Sequence, residues 1–165
     1  MMIIYRIISF IVNLFCAFAA VVVIFSLLFL LQDPTALLQV FLMLGVVLYG
    51  WFANKFYVYI LMGKQKMTKK QKDWLQVNAI VAFIFSILGV SNCIYLISNP
   101  HALDDLLKSM SFQNVNPANA VVNASIVFLV LCSILLIHII WTYILLRKYK
   151  THFGDWNHVN WKDFL

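Results

Sequence analysis

The sequence predicts an all-α integral membrane protein, built as an up-and-down bundle of four transmembrane helices with both termini in the cytoplasm. Two observations carry this prediction. Hydrophobic residues make up 64% of the 165-residue chain, whereas soluble domains hold ~45–50%. Four apolar runs of roughly 20 residues or more take up most of the length. The chain is therefore predicted to be a single membrane domain over residues 1–165, without a separate soluble part.

Helix boundaries follow from local capping patterns. Asp33, Asn99 and Asn116 each precede a proline, which pairs a good N-cap acceptor with a residue suited to the first helical position. Thr68 with Gln71 three residues later predicts a capping box. The first apolar run is longer than the ~7–15 residues of a signal-peptide core, so it is predicted to be a retained helix. The predicted helices cover residues 5–31, 34–62, 69–98 and 117–149.

A cluster of lysines between the second and third helices sets the predicted orientation. Short basic loops stay on the cytoplasmic side of a membrane. The two termini, which carry Arg6 and Arg147, fall on the same side by alternation and are also basic. We therefore predict a multi-pass protein of the cell membrane, in particular the bacterial inner membrane. The cluster consists of Lys64, Lys66, Lys69, Lys70 and Lys72.

The same lysine cluster has a second interpretation as an anion site. Three of its lysines fall in the first turn of the predicted third helix, where the helix dipole disfavours cations by ~0.3–1 kcal/mol each. Free N–H groups at such a helix start, ringed by lysines, suit a phosphate or an anionic lipid headgroup. Nucleic acid is not expected, because the strip lacks the interleaved aromatic residues of single-strand binders.

Four polar residues are expected at similar depth inside the membrane. Counting ~1.5 Å per helical residue from the basic end of each helix brings them within about one turn of one level. If they faced each other they would form a polar layer open to the cytoplasm. The alternative is that Lys55 extends to the interface, that the asparagines bond across helices, and that His138 is satisfied by a neighbour. The four residues are Asn13, Lys55, Asn78 and His138.

Small residues recur along one face of the third helix. Such a seam lets another helix approach closely in lipid. A similar stripe on the first helix contains Ser9 and Cys16, so we expect these two helices to touch, either within one chain or across a homodimer. The seam consists of Ala79, Ala82, Ser86, Gly89 and Cys93.

Two segments outside the helices are amphipathic. Residues 100–111 place leucines on one face and charges on the other, which predicts a short helix lying on the outer surface. The cytoplasmic aromatic tail, residues 150–165, mixes tryptophan and phenylalanine with polar residues, as interfacial segments do. His152, Asp155 and His158 are spaced like metal ligands. No fourth ligand is evident, so no metal site is predicted.

Motifs for chemistry are otherwise missing. The chain contains no glutamate and no catalytic or cofactor-binding signature. We therefore expect no enzyme activity and no cofactor, and favour an accessory or assembly subunit that binds a membrane protein, another copy of itself or anionic lipid. The alternative is a small oligomeric transporter or channel subunit that uses the polar layer. A lipid-modifying enzyme ranks third, with His138 as its buried acid–base candidate.

Overall fold

The computed structural model describes residues 2–29, 36–63, 67–99, 102, 117–149 and 153–154. This part of the chain is almost entirely helical, and four helices in it are long and apolar enough to cross a membrane. The all-α, four-helix part of the predicted fold is thereby confirmed. The elements are α1 (Met2–Phe29), α2 (Ala36–Phe56), β1 (Met67–Thr68), α3 (Lys69–Ser98), α4 (Pro117–Lys148) and β2 (Phe153–Gly154).

The helices pack as an up-and-down bundle. Helix α2 contacts α1 and α3, α3 contacts α4, and a smaller α1–α4 interface closes the ring. One end of the bundle, called the lysine end here, is where α1 and α3 begin and α2 and α4 end. The opposite end is called the far end.

Glycines allow α2 to approach both of its neighbours closely. A Cβ atom added at Gly45 would overlap the side chain of Val81 on α3, and one added at Gly50 would overlap Cys16 on α1. On α3, a Cβ at Gly89 would lie 2.8 Å from the Sγ of Cys132 on α4. Any larger residue at these positions would have to push the helices apart.

A π-helical turn follows α2 at the lysine end. It consists of Tyr57–Leu61, and the N–H of Met62 donates to the carbonyl of Tyr57 at 3.0 Å. Gly63 follows with φ of 65°, a left-handed conformation that glycine adopts without steric cost and that ends helices. The helical segment therefore ends before Gly63, directly ahead of the lysine cluster in the sequence.

The start of α3 is fixed by the predicted capping box. The N–H of Gln71 donates to the hydroxyl of Thr68 at 3.2 Å, and the N–H of Thr68 donates to the side-chain carbonyl of Gln71 at 3.2 Å. Two N–H groups that a helix start would otherwise leave free are thus satisfied. The capping prediction for Thr68 is confirmed.

Replacing Thr68 with alanine is expected to destabilise the fold by about 0.5–2 kcal/mol, because the cap on Gln71 is lost. Thermal denaturation of the purified protein measures the change. Thr68→Ser is the matched control, since it keeps the hydroxyl and should stay close to the native stability. Equal losses in the two variants would show that the methyl group, and not the cap, is what matters.

A short β-bridge ties the aromatic tail to the loop before α3. Strands β1 and β2 pair in parallel, with Met67 opposite Phe153 and Thr68 opposite Gly154. Met67 is fully buried and belongs to the hydrophobic core. This pairing was not predicted from the sequence, because neither strand is longer than two residues.

Several predicted features lie outside the described residues. They include Lys64 and Lys66, the outer segment 100–111 apart from Ala102, and the tail 150–165 apart from Phe153–Gly154. At the far end of α3, Asn99 closes the helix: its N–H and its side-chain amide both donate to the carbonyl of Tyr95, at 2.9 and 3.1 Å.

Candidate functional site

The interior of the bundle near the lysine end holds a network of polar side chains. The network joins three helices and all of its members are buried. At its centre is His138, whose exposed fraction is only 1%. The members are Tyr5 and Ser9 on α1, Tyr49 on α2, and His138 and Thr142 on α4.

Both ring nitrogens of His138 are used. Its Nε2 lies 2.9 Å from the hydroxyl of Ser9, and its Nδ1 lies 2.8 Å from the hydroxyl of Tyr49. The Tyr49 hydroxyl donates its single proton to Thr142 at 3.2 Å. Consequently Nδ1–H of His138 donates to Tyr49, and for a neutral imidazole the Ser9 hydroxyl donates to Nε2. Thr142 also pairs with the Tyr5 hydroxyl at 3.0 Å.

Aromatic rings enclose the network. The Tyr5 ring stacks on the His138 ring with centroids 5.1 Å apart, and Trp141 meets Tyr5 edge-on at 5.8 Å. Tyr49 meets the imidazole edge-on at 5.8 Å, and Tyr57 of the π-helical turn lies 6.1 Å from Tyr5. The imidazole is thus held by two hydrogen bonds and by rings on two sides, which fixes its position rather than leaving it open to a reactant.

A fully apolar layer separates this network from the far half of the bundle. Its members on α1, α2 and α4 each lie three residues, or ~4.5 Å, beyond a network residue in the direction of the far end. None of the four is more than 2% exposed, so the described core at this level consists of buried apolar side chains. The layer consists of Val12, Val46, Ala82 and Leu135.

No relative helps to interpret this arrangement. The chain matches no known protein family, and comparisons with curated proteins and with solved structures gave no match. What the site does must therefore be argued from its geometry. A polar network whose members satisfy each other stabilises and orients the helices that it joins.

The predicted intramembrane polar layer is not assembled as one group. No hydrogen bond joins any two of Asn13, Lys55, Asn78 and His138. The Asn78 side chain donates to the carbonyl of Trp74 on its own helix at 2.8 Å. Half-buried Lys55 lies over the ring of exposed Trp51, with its Nζ 5.3 Å from the centroid. These positions fit the alternative in which Lys55 extends outward and His138 is satisfied by its neighbours.

The predicted small-residue seam is filled within the chain. Ala82, Ser86 and Cys93 are buried, and Gly89 faces Cys132 of α4. Cys16 from the α1 stripe meets Gly50 of α2 instead. Because α1 and α3 occupy opposite corners of the bundle, the expected contact between their two stripes does not form a main interface in the chain. Ala79, the remaining seam residue, is half-buried.

Three lysines of the predicted anion site are described. Lys69 and Lys70 are exposed in the first turn of α3, and Lys72 is half-buried. The capping box occupies the N–H groups of Thr68 and Gln71, so these two donors are not available to an anion. The lysines lie beside the β-bridge, so this end of the bundle brings the basic loop and the start of the aromatic tail together.

A groove of about 260 Å³ runs along the surface between α1 and α2. Its walls are built from small residues, including Ala17, Ala20 and Gly50, with Trp51 at one side. The amides of half-buried Asn13 and exposed Asn54 also line it. Neither amide has a hydrogen-bond partner among the described residues. This surface, called the α1–α2 groove here, was not predicted from the sequence.

A larger cleft of about 480 Å³ opens towards the far end. All four helices contribute to its walls. Apolar side chains dominate, and two amides, Gln39 of α2 and Asn92 of α3, are exposed in it. It is called the far-end cleft here, and its apolar lining includes Phe18, Val22, Leu42, Leu88 and Phe128.

Metal binding has no support among the described residues, where no group of three or more His, Cys or acidic side chains could hold an ion. The candidates His152, Asp155 and His158 lie outside the described part. The three cysteines, Cys16, Cys93 and Cys132, are free and buried.

Most of the network around His138 was not predicted from the sequence. The predicted polar layer contained amides, a lysine and a histidine, and none of the hydroxyl groups that the structure joins to His138. Tyr5 with Ser9 and His138 with Thr142 are both spaced by four residues, which places each pair on one helix face. Two such polar pairs, each near the basic end of its helix, could have indicated a buried network between these helices.

Proposed function

We propose that the chain is a multi-pass membrane protein, with both termini and the lysine loop in the cytoplasm, that acts as a non-enzymatic accessory or assembly subunit. In this proposal it binds the membrane-spanning helix of a partner protein through the α1–α2 groove. The observation that carries it is the pair of unpartnered amides, Asn13 and Asn54, in a groove walled by small residues.

Membrane insertion is supported by the surface of the bundle. All four helices expose large apolar side chains, such as Ile3 at 75%, Leu38 at 65%, Ile80 at 62% and Val127 at 60%. A soluble monomer rarely exposes contiguous apolar patches of this extent. In a bilayer these side chains face lipid, and the four spans meet the length that the hydrocarbon core requires.

The α1–α2 groove has the properties of a helix-docking surface in lipid. Small residues let a second helix backbone approach closely, and an asparagine amide gives a hydrogen bond worth about 0.6–2 kcal/mol between membrane helices. A partner helix carrying a hydroxyl or amide would satisfy Asn13 and Asn54 at the same time. The polar groups of the network around His138, by contrast, already pair with each other.

The lysine end supports binding of anionic lipid as a second contact. Lys69 and Lys70 are exposed where α3 begins, and lysines beside a membrane attract anionic headgroups by about 1 kcal/mol each. The transporter alternative has less support. Its four proposed residues do not face each other, and the apolar layer of Val12, Val46, Ala82 and Leu135 lies across the path that it would need.

Native mass spectrometry of the protein, gently extracted from its own membranes, tests the proposal. We expect a second polypeptide in stoichiometric amount with the native chain. Ala17→Phe places a large side chain in the α1–α2 groove and should reduce partner recovery about tenfold or more, since overpacking an interface costs about 1–3 kcal/mol.

Val127→Phe is the matched control, because it adds similar bulk at an exposed position of α4 away from the groove. It should leave the partner bound. Recovery of the native chain without any second polypeptide would reject the subunit proposal. If Ala17→Phe recovered as much of the second polypeptide as the native chain does, the docking surface would lie elsewhere on the bundle.

A further inference from the structure

We propose that the far-end cleft binds one acyl chain of a membrane phospholipid, with the polar ester region of that lipid at Gln39 and Asn92. The inference rests on the membrane insertion proposed above, and it concerns a different site from the lysine end. It is drawn from the size of the cleft, its lateral opening and the distribution of polar groups along it.

The lateral opening gives the cleft direct access to lipid. Its rim carries Phe18, Leu38 and Leu88, whose exposed fractions are 67%, 65% and 54%. Exposed apolar side chains on α1, α2 and α3 therefore surround the entrance. In a bilayer the phase that touches such an entrance is the acyl-chain region, so a lipid chain can enter without crossing water.

Polar groups occur only at the outer part of the cleft. Gln39 is the fourth residue of α2 and Asn92 lies six residues before the end of α3. Both positions are close to the far ends of helices that are as long as or longer than the ~20 residues the hydrocarbon core needs. The two amides thus reach the level where lipid ester groups lie, and each can donate a hydrogen bond to an ester carbonyl.

The part of the cleft nearest the middle of the bundle is apolar. Phe85 and Phe128 line it, with ring centroids 6.3 Å apart, and Phe15 lies 6.2 Å from Phe128. The next residues towards the lysine end belong to the apolar layer that contains Val46 and Leu135. A site with an apolar inner part and two amides near its outer end matches a lipid in polarity, with the chain inside and the ester outside.

A membrane-spanning helix fits the cleft poorly. Close helix packing in lipid needs small residues that let two backbones approach, and the cleft is lined mainly by large side chains such as Phe18, Leu88 and Phe128. A helix is also about 10–12 Å wide with its side chains. A single flexible acyl chain is much thinner and can pass between such side chains.

The test uses native mass spectrometry of the purified full chain after incubation with palmitoyl-oleoyl phosphatidylcholine in mixed micelles. This lipid has no net charge, so the lysine end contributes little to its retention. We expect one retained phosphatidylcholine per chain. Leu42→Trp fills the cleft and should reduce the bound fraction about tenfold or more. Leu44→Trp, at an exposed position two residues away on the same helix, is the matched control and should retain the lipid.

A second variant tests the inference independently of whether Leu42→Trp folds. Gln39 is exposed, so Gln39→Leu should fold normally and still reduce lipid retention several-fold, whereas Gln76→Leu near the lysine end should not. Absence of retained lipid on the native chain would overturn the inference. Retention in both Leu42→Trp and Gln39→Leu equal to that of the native chain would overturn it as well. That result would leave the subunit proposal standing, because partner recovery is measured separately with Ala17→Phe.

Discussion

Replacing His138 with leucine is expected to destabilise the protein by about 1–3 kcal/mol, because buried hydroxyl groups lose their partner. Ser9 loses its partner at 2.9 Å and Tyr49 loses the Nδ1–H that it accepts at 2.8 Å. For a chain of this size, each kcal/mol corresponds to roughly 2–4 °C in Tm. Thermal denaturation of the purified protein in nanodiscs measures the shift.

A double-mutant cycle separates the hydrogen bond from the change in packing. Ser9→Ala alone should cost less than His138→Leu, since only Nε2 of His138 then loses a partner, whereas loss of His138 leaves both Ser9 and Tyr49 without one. The two changes together should cost clearly less than the sum, because Ser9 and His138 share one bond. Strictly additive effects, or an unchanged Tm in His138→Leu, would show that the network does not hold α1 to α4.

Replacing Gly45 with valine is expected to reduce stability by about 1–3 kcal/mol, and more if α2 cannot move away from α3. Even a single Cβ at this position overlaps the side chain of Val81, and the branched carbons of valine extend further. Glycine is a poorer helix former than valine by a few tenths of a kcal/mol, so helix propensity offsets only a small part. Urea or heat denaturation of the purified variant gives the value.

The matched test exchanges the two residues, so that valine stands on α2 and glycine on α3. Val81→Gly should be destabilising on its own, because it leaves a cavity and weakens the helix. Combined with Gly45→Val it should recover part of the loss. Failure of the pair to recover any stability would mean that the close approach of α2 and α3 is not specified by Gly45.

The four helices and the start of α3 could be predicted because they depend on local signals. Apolar runs define the four helices, and Thr68 with Gln71 marks the start of α3 through contacts three residues apart. The network around His138 could not be predicted as a whole. It joins Ser9 to His138 and Tyr49 to His138 across 129 and 89 residues, and nothing in the local sequence fixes which helices are neighbours.

Helix order also explains why the two small-residue stripes do not form a main interface within the chain, and the homodimer alternative stays a prediction. Small residues on α3 indicated a close approach, and the structure provides one, but its partner is α4 at Cys132. The two mid-helix glycines of α2, Gly45 and Gly50, were the stronger signal. Glycine inside a helix costs about 1 kcal/mol relative to alanine, so it usually marks a close contact.

The central claim is that no water path crosses the apolar layer and that the protein binds its partners on the outer faces of its helices. Thiol accessibility tests the first part most directly. The three native cysteines are replaced by alanine, and Val12→Cys or Val46→Cys then places one thiol of similar volume in the apolar layer. Asp73→Cys, exposed at the lysine end, is the positive control. In native membranes a small cationic methanethiosulfonate reagent should modify Asp73→Cys and leave both layer positions unmodified. Modification of either layer position at the rate of Asp73→Cys would contradict the account and favour a path through the bundle.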